Sequence, residues 1–168
     1  MPIVLGPIRK LAPAEVVSFR DIRLEALSRH PEAFCASYKT AAAEPCAATA
    51  QRLAAGGVWG AFMEDTLVGI AQFGGRASDH QRHRGELSGV YLRNCARGTG
   101  LADRLVETVL DFAKDRVECV ELKVDTTNEP AIRLYGRCGF QTYGTEPRAF
   151  KVEGGYRDAF LMAKFLGE

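Results

Sequence analysis

Apolar and polar positions along the chain change period repeatedly, and each change marks an element. Residues 3–9 form an apolar run short enough for a strand. Residues 13–29 bring Val16, Val17, Leu24 and Leu27 near helical spacing, with Pro31 closing the segment. Alanine-rich residues 41–55 predict a second helix, stopped by Gly56 and Gly57. Residues 58–64 and 66–73 read as strands joined through Glu64 and Asp65, which predicts a hairpin. Residues 76–85 are polar, contain His80 and His83, and predict an exposed loop before a strand at 86–92. After a glycine-bearing turn, Leu101, Leu105, Val109 and Phe112 give residues 101–114 a strong helical period. Residues 117–124 alternate as a strand. Residues 129–138 form a short helix with Asn128 as its cap and Gly139 as its stop. Two last strands, 140–145 and 156–165, lie either side of a turn at Gly154 and Gly155. These elements predict a mixed α+β domain around one central sheet. With no repeat or linker to divide it, residues 1–168 are expected to be one domain.

Composition narrows the function classes. A chain of 168 residues buries a core without staples, and 46% apolar with 26% charged residues excludes a disordered tail. Lys plus Arg number 22 against 21 Asp plus Glu. That balance gives no electrostatic footprint for nucleic acid or an anionic membrane, and neither partner is expected. Apolar stretches fall short of the roughly 20 residues of a membrane span. Arg9 and Lys10 follow the first apolar residues, the reverse of a secretory leader, so a cytoplasmic location is expected. Five cysteines without a C-x-x-C pair read as free thiols. His80 and His83, even with Cys95, make only a partial ligand set, and no metal is expected. Trp59, Phe62 and Phe73 read as core.

The turn Arg97-Gly-Thr-Gly-Leu-Ala102 falls between a predicted strand and a predicted helix. Such a turn aims backbone N–H groups at one point, with the positive end of the helix dipole behind them. Its glycines permit close approach of a diphosphate, and Arg97 adds a cation. It lacks the Gly-Lys-Ser/Thr of a P-loop, and Asp103 occupies the third glycine position of a dinucleotide fingerprint. On glycines alone, an ordinary strand-to-helix turn remains an equal reading.

Arg97-x-x-Gly100-x-Ala102 resembles the pyrophosphate loop of the GCN5-related N-acetyltransferase family, Gln/Arg-x-x-Gly-x-Gly/Ala. The segment from Leu122 through Asn128, Ala131, Tyr135 and Gly139 to Phe140 resembles the same family's strand–Asn–helix–Gly-Phe block. Order and separation agree as well. Asn94 stands where family members often carry proline. The resemblance implies a three-layer fold with a mixed, mostly antiparallel sheet, in which the strands at 86–92 and 117–124 are parallel neighbours that splay apart. It implies acetyl-CoA as co-substrate. Main chain at Val90, Tyr91 and Leu92 would pair with the pantetheine arm, Arg97, Gly98, Thr99, Gly100, Leu101 and Ala102 would bind the pyrophosphate, and Asn128, Ala131 and Tyr135 would line the arm's thiol end. Arg137, three residues before Phe140, is a candidate for the 3′-phosphate, with a solvated helix arginine as the favoured reading. Val90 N–H would donate to the thioester carbonyl. Glu86 is the expected general base and Tyr135 the expected acid for the departing thiolate. Glu25, Phe34 and Tyr38 are candidate acceptor-site residues. Cys138 invites a covalent route, but no histidine neighbours it and the resemblance implies direct transfer. The expected reaction is acetylation of a small-molecule primary amine, with a protein amine or a non-catalytic acetyl-CoA sensor as alternatives, and a homodimer as the possible assembly.

Overall fold

The computed structural model describes residues 5–167. In chain order the strands and helices are β1 Leu5–Lys10, α1 Val16–Arg29, α2 Tyr38–Ala43, α3 Cys46–Ala54, β2 Val58–Met63, β3 Thr66–Gly75, β4 Arg84–Leu92, α4 Leu101–Ala113, β5 Cys119–Asp125, α5 Glu129–Arg137, β6 Gln141–Val152 and β7 Gly155–Phe165. The strands form one sheet in the order β1-β2-β3-β4-β5-β7-β6. β4 and β5 run parallel, and the remaining pairs are antiparallel. On one face Leu101, Leu105, Val106, Val109 and Leu110 of α4 bury against the sheet, joined by Leu134 of α5. On the other, Phe19, Ile22 and Ala26 of α1 and Leu53 of α3 cover Val58, Leu67 and Ile70. The result is the three-layer arrangement expected.

β4 and β5 pair only at Arg84↔Cys119, Gly85↔Val120 and Glu86↔Glu121, and beyond that point they part. The cause lies in β4. Its register with β3 slips between Ile70↔Tyr91 and Gln72↔Ser88, so Gly89 and Val90 together face Ala71 as a bulge. Gly89 takes φ +60°, a conformation that favours glycine. The paired root is clamped by Glu121. Its carboxylate is ion-paired with Arg84, lies 3.4 Å from Arg76, and accepts a hydrogen bond from Tyr143 Oη at 3.3 Å.

The structure corrects two element boundaries. Residues 41–55 are not one helix. Pro45 has no N–H and disfavours helical backbone at Glu44, whose ψ is 128°, so α2 ends and α3 begins with Pro45 as its N-cap. β6 runs to Val152, past the expected end at 145, because register shifts between Glu146 and Phe150 accommodate Pro147 within the strand. Residues 3 and 4 of the first expected strand lie outside the described residues.

Candidate active site

The fork between β4 and β5 opens into two adjoining spaces. The larger is a cleft of about 870 Å³ at the mouth, between the end of β4, the start of α4 and α5. The smaller is a chamber of about 290 Å³ between α1, the segment after it, β3, β4 and α5. Phe34, Val90, Asn128, Ala131 and Tyr135 line both, so the spaces meet at these residues.

The larger cleft holds the glycine turn. Gly98 and Gly100 have φ +73° and +79°, and a Cβ built at either would meet nothing within 4 Å. Neither glycine is needed for packing; they set the backbone path and leave its outer face open. Leu101 is fully buried and anchors α4 in the core, while Thr99 Oγ1 donates to Ala96 O at 2.6 Å. Neither residue lines the cleft, and the Leu101 N–H is itself held by Thr99 Oγ1 at 3.4 Å, so the turn meets the cleft through Arg97, Gly98, Gly100 and Ala102. Among the described residues no backbone carbonyl accepts from the N–H groups of Gly98, Thr99, Gly100 or Ala102. Unpaired N–H groups at the start of a thirteen-residue helix fit a diphosphate. As the chain enters the turn, the Asn94 carbonyl accepts from Arg97 N–H at 3.2 Å.

Arg97 lines the cleft with its guanidinium turned back, Nε donating to Leu92 O at 3.3 Å and Nη2 lying 3.3 Å from His30 Nε2. Arg137 is not an unengaged cation. Its Nε and Nη2 bond the two oxygens of Asp103 at 2.7 and 3.2 Å. That pairing holds the Asp103 carboxyl below the usual range and neutralises the acid that stands against a diphosphate.

Asn128 caps α5, its Oδ1 accepting from Ala131 N–H at 3.3 Å. Tyr135 is 9% exposed, its ring edge-on to Phe140 with centroids 5.9 Å apart. Burial pushes its phenol well above the usual tyrosine value, so it stays protonated. Its hydroxyl has no hydrogen-bond partner among the described residues. Cys138 nearby is buried and its thiol is pushed up to about 11, first by burial and then by Asp103 and Glu107, which leaves it a poor nucleophile. Glu86 lines the chamber, half-exposed, 3.7 Å from Arg76.

Two expected acceptor residues are elsewhere. Glu25 lines neither space; it accepts from Tyr91 Oη at 3.0 Å and Arg93 Nε at 2.9 Å, tying α1 to β4. Tyr38 is 50% exposed on the first turn of α2, outside both spaces. Phe34 lies at the junction, lining both spaces. The sequence reading missed Asp125, Thr127 and Arg157 in the larger cleft and Arg23 in the chamber. Asp125 Oδ1 accepts from the N–H and hydroxyl of Thr127, each at 2.8 Å, and Arg157 Nη1 donates to Thr127 Oγ1 at 2.8 Å. The Asp-x-Thr spacing after a strand signals such a turn; nothing in the sequence singles out Arg23.

A mixed sheet forked at its parallel pair, with a glycine turn opening a helix at the mouth, is the acyl-CoA N-acyltransferase fold. The chain belongs to the acetyltransferase (GNAT) family, whose model matches residues 19–140. It is 34% identical over 111 residues to the N-alpha-acetyltransferase RimI of Mycobacterium tuberculosis, covering 65% of this chain and 66% of RimI. A shorter stretch of 71 residues is 34% identical to an Escherichia coli spermidine N(1)-acetyltransferase, 41% of this chain and 38% of that one. The matched stretches cover 28% to 66% of the first curated relatives' own lengths. A GNAT acetyltransferase from Streptococcus pneumoniae superposes with a TM-score of 0.86 at 21% identity, over 96% of this chain and 99% of that one. The Salmonella typhimurium protein yncA, solved with its cofactor acetyl-CoA, gives 0.80 at 23% identity, over 98% and 95%. Among the described residues no helix is long and apolar enough to cross a membrane.

Proposed function

We propose that the chain transfers an acetyl group from acetyl-CoA to the primary amine of a small molecule, by direct attack in a ternary complex. The observation that carries this reading is the meeting of two spaces at Val90 and Tyr135, the larger opening at a helix N-terminus and the smaller lined by Arg23 and Glu86. The Gly98–Ala102 backbone grips the diphosphate, and the unpaired edge of β4 pairs with the pantetheine arm as a peptide pairs with a sheet edge. That aims the thioester at the junction, and acetyl-CoA supplies the activated carbonyl. Val90 N–H, in the bulge, donates to the carbonyl oxygen as charge develops on it. Glu86 takes the proton of an amine that is mostly ammonium at pH 7. As the new C–N bond forms and the C–S bond breaks, Tyr135 donates to the departing sulfur.

Chamber size favours a small molecule over a protein amine, because a space of about 290 Å³ holds a compact acceptor. Similarity to RimI favours the peptide reading. Release of free CoA thiol across a panel of small amines and N-terminal peptides separates the two. Turnover confined to peptides would overturn the small-molecule reading. Tight acetyl-CoA binding without transfer to any amine would instead make the protein a sensor.

A further inference from the structure

Most arginines around the fork are matched to an oxygen. Arg20 donates to Glu44 O at 2.6 Å, Arg52 is ion-paired with the Glu44 carboxylate, Arg93 with Glu25, and Arg84 with Glu121. Arg23, on α1, is different. Its Nε is buried with no hydrogen-bond partner, and no described carboxylate lies within 4.0 Å of its guanidinium. Glu44, the acid nearest in effect, is occupied by Arg52 and by Thr49 Oγ1, which donates to it at 2.9 Å. A guanidinium cannot shed its proton to escape burial, so a partly dehydrated Arg23 without a partner is costly to the empty protein. That cost is recovered when a ligand brings an anion.

Arg23 lines the same chamber as Glu86. Lys123, the other cation there, is ion-paired with Glu146. One wall thus presents an unmatched cation and another a carboxylate, the complement of a zwitterion. We infer that Arg23 is an anion subsite of the acceptor chamber, and that the acceptor is a compact primary amine carrying a carboxylate, as an amino acid does. The inference rests on the acetyl-transfer reading and narrows it. It disfavours polyamines, which bring a second cation toward Arg23.

The test uses matched pairs: phenylalanine against phenethylamine, and methionine against 3-(methylthio)propylamine, followed by thiol release. The carboxylate member is expected to have the higher kcat/KM. In Arg23→Gln the preference should fall by roughly 30-fold, the loss of one charge-assisted pair, and Arg23→Lys should retain part of it. Wild-type affinity for CoA certifies that each variant is folded. Equal rates within each pair, or a preference unchanged in Arg23→Gln, overturn the subsite while leaving acetyl transfer standing. If no amine is acetylated, the transfer reading fails, and calorimetry on the CoA-loaded protein decides the subsite separately. Binding of the same amino acids that Arg23→Gln abolishes supports it, and no binding by wild type overturns it.

Discussion

Tyr135→Phe removes a single oxygen from the junction of the two spaces and leaves nearly everything else in place. The ring keeps its edge-on contact with Phe140 and its 9% exposure. Because the hydroxyl has no partner among the described residues, its loss orphans no buried group, and stability should change by less than about 1 kcal/mol. What disappears is a donor to the leaving sulfur. A positioned donor or acid of this kind is worth about 10²-fold in rate, or about 2.7 kcal/mol of barrier. Initial rates of CoA thiol release at saturating amine should therefore fall about 10²-fold in kcat, with the acetyl-CoA Kd from calorimetry unchanged. The pH dependence adds a second check. Burial holds the phenol protonated well past its ordinary value, so the ratio of the two rates should stay flat across the neutral and mildly alkaline range. Equal kcat for the two proteins at matched acetyl-CoA occupancy would refute the reasoning and assign the proton to water.

Glu86→Gln should lower kcat/KM about 10²-fold near neutral pH, the deficit shrinking toward pH 10 as the amine loses its own proton; an unchanged pH–rate profile removes Glu86 from the reaction. Gly100→Ala forces a side chain into φ +79° at a cost of about 1–2 kcal/mol, and calorimetry should show acetyl-CoA binding weakened about tenfold as the turn relaxes; full affinity would mean that the turn does not hold the diphosphate. Glu121→Ala strips Arg84 and Arg76 of their shared acceptor and should cost about 1–3 kcal/mol in urea unfolding. Arg84, first, holds the Glu121 carboxyl below its usual range, so its contribution is complete above an unfolded pKa near 4.3 and is lost as pH falls through the lower folded value. Wild type and variant should then converge in stability on acidification below about pH 4, and a gap that persists there would contradict the pairing.

The parts of the site legible in the sequence are those written in local chemistry. The glycine turn, the Asn128 cap, the stop at Gly139 and the helical stripe of α4 each depend on residues within one or two turns of chain, and the structure has them where the pattern put them. The split at Pro45 is also written locally, but the alanine propensity of residues 41–55 points the other way. Tertiary pairings were not legible. Glu25 looks like any helix acid until Tyr91 and Arg93 arrive from 66 and 68 residues away. Arg23 and Arg20 are indistinguishable in sequence, yet one is satisfied by backbone carbonyls at 2.6 and 3.2 Å and the other is left facing the chamber.

The engagement of Glu25 by Tyr91 and the formation of the fork have one cause. Strict alternation along β4 would put Leu87 and Tyr91 on the same face of the sheet. Leu87 does pack in the α4 cluster, but Tyr91 belongs to the α1 cluster and Leu92 to the α4 cluster. One extra residue at Gly89–Val90 has shifted the phase by a step. Before the bulge, β4 is paired to β5 and presents Glu86 at the last paired position, beside the chamber. After it, Tyr91 turns toward α1, where Glu25 accepts its hydroxyl proton and holds the parted strand in place. Within the bulge, neither Gly89 nor Val90 has a partner of its own in β3. The same insertion therefore separates the strands, fixes the far arm of the fork and leaves Val90 at the point where the two spaces meet. Glycine at position 89 is what makes it affordable, because φ +60° would strain any side chain placed there.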